Sequence, residues 1–338
     1  MGSTSPPRES SKLFTPLRLG IKSQASTTKG GLLITESMQP SFMGGGFYGI
    51  LDMFAPEHVR AWKKVTDAVR TQGAFMACQW WHPLSSSATN IGYFKRNTRG
   101  GIEYPYKTAK LIRMKDIKDM INNHVYAAKC AIKARFDCTS DNGYLLDQFL
   151  NTNTNLLLDA VIAAVGASRV SIRMSPWETV WLPLDTDPIT NFRYAPREVE
   201  KRGVAYVCLT QPRADLLLEE KTKTENMYAA IREGKVAATV QDLHLRHFFE
   251  VLKTTPVLTN GDYNGENCFE EVDRNEVDGI TFARWFTSNP DLVEKLRLGK
   301  RLTKWNMETV YRGTVEAGSE NVGYTDYPFG VVEEDAGI

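Results

Sequence analysis

An α/β fold of alternating parallel strands and helices is what this sequence predicts, with a (β/α)8 barrel ahead of a doubly wound sheet. Three observations carry the prediction. Short apolar runs recur at long intervals, amphipathic helical stripes separate several of them, and polar residues stand where the runs end.

The runs, in order, are Gly31-Leu32-Leu33-Ile34-Thr35, Phe75-Met76-Ala77-Cys78-Gln79, Phe136-Asp137-Cys138-Thr139, Val170-Ser171-Ile172-Arg173-Met174, Ala205-Tyr206-Val207-Cys208-Leu209, Pro256-Val257-Leu258-Thr259 and Gly279-Ile280-Thr281-Phe282-Ala283. Each has the length and apolar character of a strand buried on both faces. Between the first two, Val59, Trp62, Val65 and Val69 recur at helical spacing behind Pro56, a residue favoured in a first helical turn. Ile117, Ile121, Val125, Ala128 and Ile132 form a second stripe before the third run, and residues 156–165 read as a third helix. Strands joined by helices imply a parallel sheet, and this many units, seven strands by count, favour a closed (β/α)8 barrel or a doubly wound sheet. Gln79, Asn142, Arg173 and Arg284 fall at or just past strand ends, where barrel enzymes build their sites.

Composition narrows the partner. With 338 residues, 42% of them hydrophobic, the chain can bury a full core, and 41 basic against 40 acidic residues leave no field for nucleic acid or an anionic membrane. A small molecule is the expected partner, with no membrane anchor and a cytoplasmic location, and with monomer or homodimer left open. Cys78, Cys130, Cys138, Cys208 and Cys268 lie scattered, without the spacing of a zinc site or a disulfide framework, and read as reduced thiols. The five histidines form no metal set; His244 and His247 read as one face of a solvated helix. Gly44-Gly45-Gly46 lacks the strand-turn-helix setting of a dinucleotide fingerprint. Residues 1–12 and 330–338 read as unstructured tails around a single domain over 13–329.

The spaced segments together resemble the fungal branch of the old yellow enzyme family, FMN-dependent ene reductases on one (β/α)8 barrel. The resemblance runs through Leu13-Phe14-Thr15-Pro16-Leu17-Arg18-Leu19-Gly20, Cys78-Gln79-Trp80-Trp81-His82, Asn142-Gly143-Tyr144-Leu145-Leu146-Asp147-Gln148-Phe149-Leu150, Ser171-Ile172-Arg173-Met174-Ser175-Pro176-Trp177 and Phe282-Ala283-Arg284-Trp285-Phe286-Thr287, in the family's order. It implies that Gln79 and Arg173 meet the flavin ring, and that Gly261, Ala283 and Arg284 hold its phosphate. A cation beside the flavin favours its reduced, negatively charged state, and phosphate suits backbone N–H groups and a guanidinium fork. It further implies NADPH as reductant, an α,β-unsaturated carbonyl compound as substrate, Tyr144 as proton donor and a role in fungal secondary metabolism. A salt bridge in the barrel mouth is the bland alternative for Arg173, helix capping or a surface carboxylate for Arg284, and packing over the rim for Tyr144.

Three departures from the family pattern bear on activity. The pair of carbonyl donors ahead of Gly143-Tyr144 reads Thr139 and Asn142, with a hydroxyl at the first place and Asp141 set where enolate charge would develop. The strand before it is about three residues short, and a change of one residue already exchanges the faces of a strand. The family's first strand and following helix are reduced to residues 21–30, and a loop after Leu150 is missing, so the barrel is expected to be incomplete. Two other readings therefore stand beside the reductase: a catalytically inactive, truncated relative that binds flavin poorly or not at all, and a non-redox double-bond isomerase. The segment 90–110 reads as a mobile surface loop, with the alternative, from the resemblance, of a loop that helps shape the mouth over the flavin.

Overall fold

The structure, a computed structural model, describes residues 30–42, 51–81, 93–94, 104–105, 114–142, 152–178, 185–214, 220–306, 322–323 and 325–330. The expected tails, residue 330 apart, lie outside these residues, as do the triple glycine, Tyr144 and most of the 90–110 segment.

The chain opens with β1 (Leu32–Ile34), β2 (Met38–Gln39) and β3 (Leu51–Asp52), then α1 (Pro56–Arg70) and β4 (Phe75–Trp80). Tyr93–Phe94 and Tyr104–Pro105 form a small antiparallel pair, β5 and β6. There follow α2 (Met114–Lys133), β7 (Cys138–Asn142), α3 (Thr152–Val165), β8 (Val170–Met174), α4 (Pro188–Glu200), β9 (Tyr206–Thr210), α5 (Glu220–Arg232), α6 (Arg246–Phe249), β10 (Val257–Asn260), α7 (Glu270–Asp273), β11 (Gly279–Thr281), α8 (Arg284–Ser288) and α9 (Leu292–Arg297). All seven expected strands are present. They pair in parallel in the order β1-β4-β7-β8-β9-β10-β11. The two-residue β2 extends the top of the sheet, with Met38 beside Trp80.

Strand alternation sorts the side chains onto two faces. Met76, Cys78 and Trp80 face outward and join Trp62, Val65 and Val69 of α1 and Ala127 and Ala131 of α2 in one core cluster. Val170, Ile172 and Met174 of β8 and Val207 and Leu209 of β9 do the same under α3 to α6. The inner face is built of smaller and more polar groups, among them Ala77, Cys138, Tyr206 and Cys208.

Among the described residues no backbone pairing joins β1 to β11, so the barrel is open in its hydrogen bonds. Its edges still meet. Phe286 of α8, just past β11, packs against the cluster that contains Leu33 of β1 and Trp62 of α1. In a flat sheet of seven strands those edges would stand roughly 29 Å apart at the usual strand spacing. The wall is therefore curled, with α8 packed against the cluster that covers β1 and β4, but among the described residues the barrel is not closed.

Candidate functional site

At the C-terminal ends of β4, β7 and β8 the inner face turns polar, because inward positions there carry Gln79, Ser140, Asn142, Ser171 and Arg173. Gln79 stands level with Ser140, and Asn142, two residues further along β7, stands level with Arg173. A hydrogen-bonded chain links two of them. Asn142 Nδ2 donates to Ser37 Oγ at 3.2 Å, and Ser37 Oγ donates to Gln79 Oε1 at 3.0 Å. The Gln79 N–H donates to Thr35 Oγ1 at 3.0 Å, so the segment after β1 holds both side chains in place. Ser37 was not singled out from the sequence. Its signal was only a hydroxyl three residues past the first strand.

Arg173 behaves differently. Among the described residues it makes no ion pair, its one hydrogen bond is a 3.5 Å contact from Nη2 to Thr210 Oγ1, and its buried Nε has no partner. The salt-bridge alternative is thereby excluded among the described groups. A partly buried guanidinium left without an acidic partner is suited to an anion supplied from elsewhere.

Thr139 does not join this group. Its neighbours in register are Cys78 and Val170, both outward, and its hydroxyl donates to the Arg169 carbonyl at 3.3 Å beneath the helices. The shortened strand explains the correction, since losing an odd number of residues carries the donor position to the opposite face. Asp141 turns outward for the same reason. It is buried, with one oxygen 3.9 Å from His124 Nε2 of α2. Burial raises its pKa above the usual carboxylate range, against the opposing influence of His124. The expected conflict between this carboxylate and enolate charge does not arise. Ser140 faces inward level with Gln79 and Ser171, beneath Asn142 on the same strand.

The lumen thiols are poor nucleophiles. Burial pushes Cys138 up to about 11, partly offset by Tyr206 and Ser171, and burial also raises Cys208 against the lowering charge of Arg173. Both are neutral thiols at physiological pH.

Further round the mouth, Gly261 follows β10 with φ +122°, and a Cβ there would lie 2.6 Å from Ala214 Cβ and 2.9 Å from Gln211 Cβ. Only glycine lets this loop close on the turn after β9. Ala283 and Arg284 follow β11; Ala283 is exposed, and Arg284 lies over the Trp305 ring at 4.8 Å with no ion pair among the described residues. The surface-carboxylate alternative for Arg284 is not what the structure shows. No group of three or more potential metal-ligating side chains occurs among the described residues. Among them, no helix is long and apolar enough to cross a membrane.

Comparison with known proteins places this curled parallel barrel, with its polar mouth and its arginine lacking an acidic partner among the described residues, in a class of flavin oxidoreductases. Residues 17–156 and 156–303 match the model of the NADH:flavin oxidoreductase / NADH oxidase family, and the chain belongs to that family, whose old yellow enzyme members depend on FMN. It is 31% identical to flavin oxidoreductase hxnT of Emericella nidulans over 366 aligned positions covering 95% of this chain and 90% of the relative. That alignment is longer than the 338-residue chain, so part of the relative faces nothing here. The chain is also 30% identical to 12-oxophytodienoate reductase 7 of Oryza sativa subsp. japonica, over 90% of this chain and 84% of the relative. In fold it is similar to the old yellow enzyme homologue from Zymomonas mobilis, with a TM-score of 0.75 at 24% identity, covering 92% of this chain and 89% of that one. Morphinone reductase in complex with tetrahydroNAD superposes with a TM-score of 0.71 at 24% identity, covering 92% and 88%.

Proposed function

We propose that this protein is an FMN-dependent ene reductase that uses NADPH to reduce an alkene conjugated to a carbonyl group, in fungal secondary metabolism, and that it acts in the cytoplasm. The observation that carries the reading is Arg173, a guanidinium on the inner face with a buried Nε and no acidic partner among the described residues. The residues present fit FMN on that ground. A bound FMN supplies hydride relay from the nicotinamide to the β-carbon of the enone. Arg173 sets a positive charge beside the ring edge that becomes electron-rich on reduction. Gln79, oriented by Ser37 and Thr35, offers its amide to the ring's polar edge. Gly261, Ala283 and Arg284 hold the phosphate. Asn142 polarises the substrate carbonyl, and Tyr144, which lies outside the described residues, delivers a proton to the α-carbon.

With Thr139 outward, carbonyl polarisation by the described residues of β7 rests on Asn142. Losing one of two such donors costs on the order of 10²-fold in turnover, so slow reduction is the expected regime. The inactive-relative reading is favoured by the same outward Thr139 and by the seam between β1 and β11. One assay separates the two. NADPH consumption is followed with and without 2-cyclohexenone in the presence of added FMN. Enone-dependent consumption that is abolished by Asn142→Ala supports the reductase, and none above the no-enzyme rate supports the silent relative.

A further inference from the structure

Arg213, three residues past β9, had no role in the sequence reading, and its setting is unusual. Its Nε donates to the Gly261 carbonyl at 3.1 Å. Its guanidinium lies over the Tyr263 ring, 4.8 Å from the centroid. Tyr263 is itself immobilised: its hydroxyl donates to Glu271 Oε2 at 2.5 Å and accepts from Gln211 Nε2 at 2.8 Å. Glu271 is the acidic group of this cluster, and it is occupied by Tyr263 and Gln211 rather than by Arg213. Arg213 therefore has a locked orientation and no carboxylate among the described residues, and its two terminal nitrogens carry no partner there.

We infer that Arg213 is a second phosphate-binding arginine of the mouth, opposite Arg284 across the β10 loop. The inference rests on the proposed flavin reading and deepens it. Arg284 follows β11 and Arg213 follows β9, so the two cations flank β10 and its Gly261 loop, the loop whose backbone that reading assigns to the phosphate. A guanidinium held by its Nε and by one ring face keeps the opposite edge for a bidentate oxygen pair. A phosphomonoester matches that edge in charge and in geometry. The contact would make the protein discriminate FMN from riboflavin, which differ only in that phosphate.

The test is the ratio of the dissociation constants of riboflavin and FMN, measured by flavin fluorescence quenching on the full-length protein freed of flavin. For Arg213→Met the ratio falls about tenfold or more, the worth of one charge-assisted bidentate contact, while riboflavin affinity holds within about twofold. A purely structural role would weaken both flavins together and leave the ratio unchanged, which would overturn the inference while leaving the flavin reading intact. Should Arg213→Met not fold, Arg213→Lys carries the test, with the cation retained, the fork lost and a smaller drop in the ratio expected. If the unaltered protein binds neither flavin, the flavin reading fails and this inference with it.

Discussion

Arginines on the outer wall of this barrel and arginines at its mouth are treated in opposite ways. On the wall, Arg70 bonds Asp137 at 2.5 Å, Arg135 bonds Asp67 at 2.6 Å, and Arg202 is shared between Asp159 at 2.6 Å and Glu198 at 3.1 Å. At the mouth, Arg173, Arg213 and Arg284 have no acidic partner among the described residues, although they are more enclosed than several of the paired ones. Instead they lean on a threonine hydroxyl, a carbonyl with a tyrosine ring, and a tryptophan ring. A wall charge is satisfied within the fold and steadies it slightly. A mouth charge is held in place but left unneutralised, which is how a site for an anionic ligand differs from a structural ion pair.

The sharpest way to break this comparison is Arg173→Met. FMN affinity should fall about 100-fold, while the flavin-free protein unfolds at the same temperature or higher because a half-buried, unpaired charge has gone. A clear drop in the unfolding temperature of the flavin-free variant would mean that the arginine is structural after all. Next in size is Gly261→Ala. The left-handed backbone and the crowding by Ala214 and Gln211 should cost about 2–3 kcal/mol in urea unfolding, and FMN affinity should fall as well.

A third change tests the outward turn of β7. Burial raises the folded-state pKa of Asp141 above its unfolded value, so its contribution to stability is fully present below the unfolded pKa and is lost as pH rises through the folded one. Asp141→Asn should therefore melt higher than the unaltered protein near pH 8, with the gap closing as pH falls toward 4. A gap that is constant with pH would place this carboxylate in water. The smallest effect belongs to the wall. Arg202→Met should cost about 1 kcal/mol, less in high salt, and leave FMN affinity untouched.

Much of this architecture was legible in the sequence. The seven strands were visible because each is an apolar run between turn-forming residues, and α1 because Val59, Trp62, Val65 and Val69 keep helical spacing. Gln79, Asn142 and Arg173 were found at strand ends and do share the inner face. The facing of Thr139 was not legible, since it depends on how a shortened strand registers with β4 and β8, and register is settled by neighbours far away in the chain. The packing of Phe286 against the cluster that contains Leu33 was hidden for a similar reason: the two lie at opposite ends of the sequence. Arg213 escaped notice because its meaning comes from what it lacks. A missing carboxylate partner is visible only when the surroundings of the side chain are known.

The central claim is that the mouth of this incomplete barrel is a flavin site, and the most direct test is the visible absorption spectrum of the freshly purified protein, followed by release and identification of any chromophore. The account predicts flavin bands between about 360 and 470 nm, near one FMN per chain on release or after uptake of added FMN, as a family that depends on this cofactor requires. A colourless protein that takes up no added FMN would contradict it, leaving the unpaired mouth arginines without their ligand and the likeness to old yellow enzyme as ancestry alone.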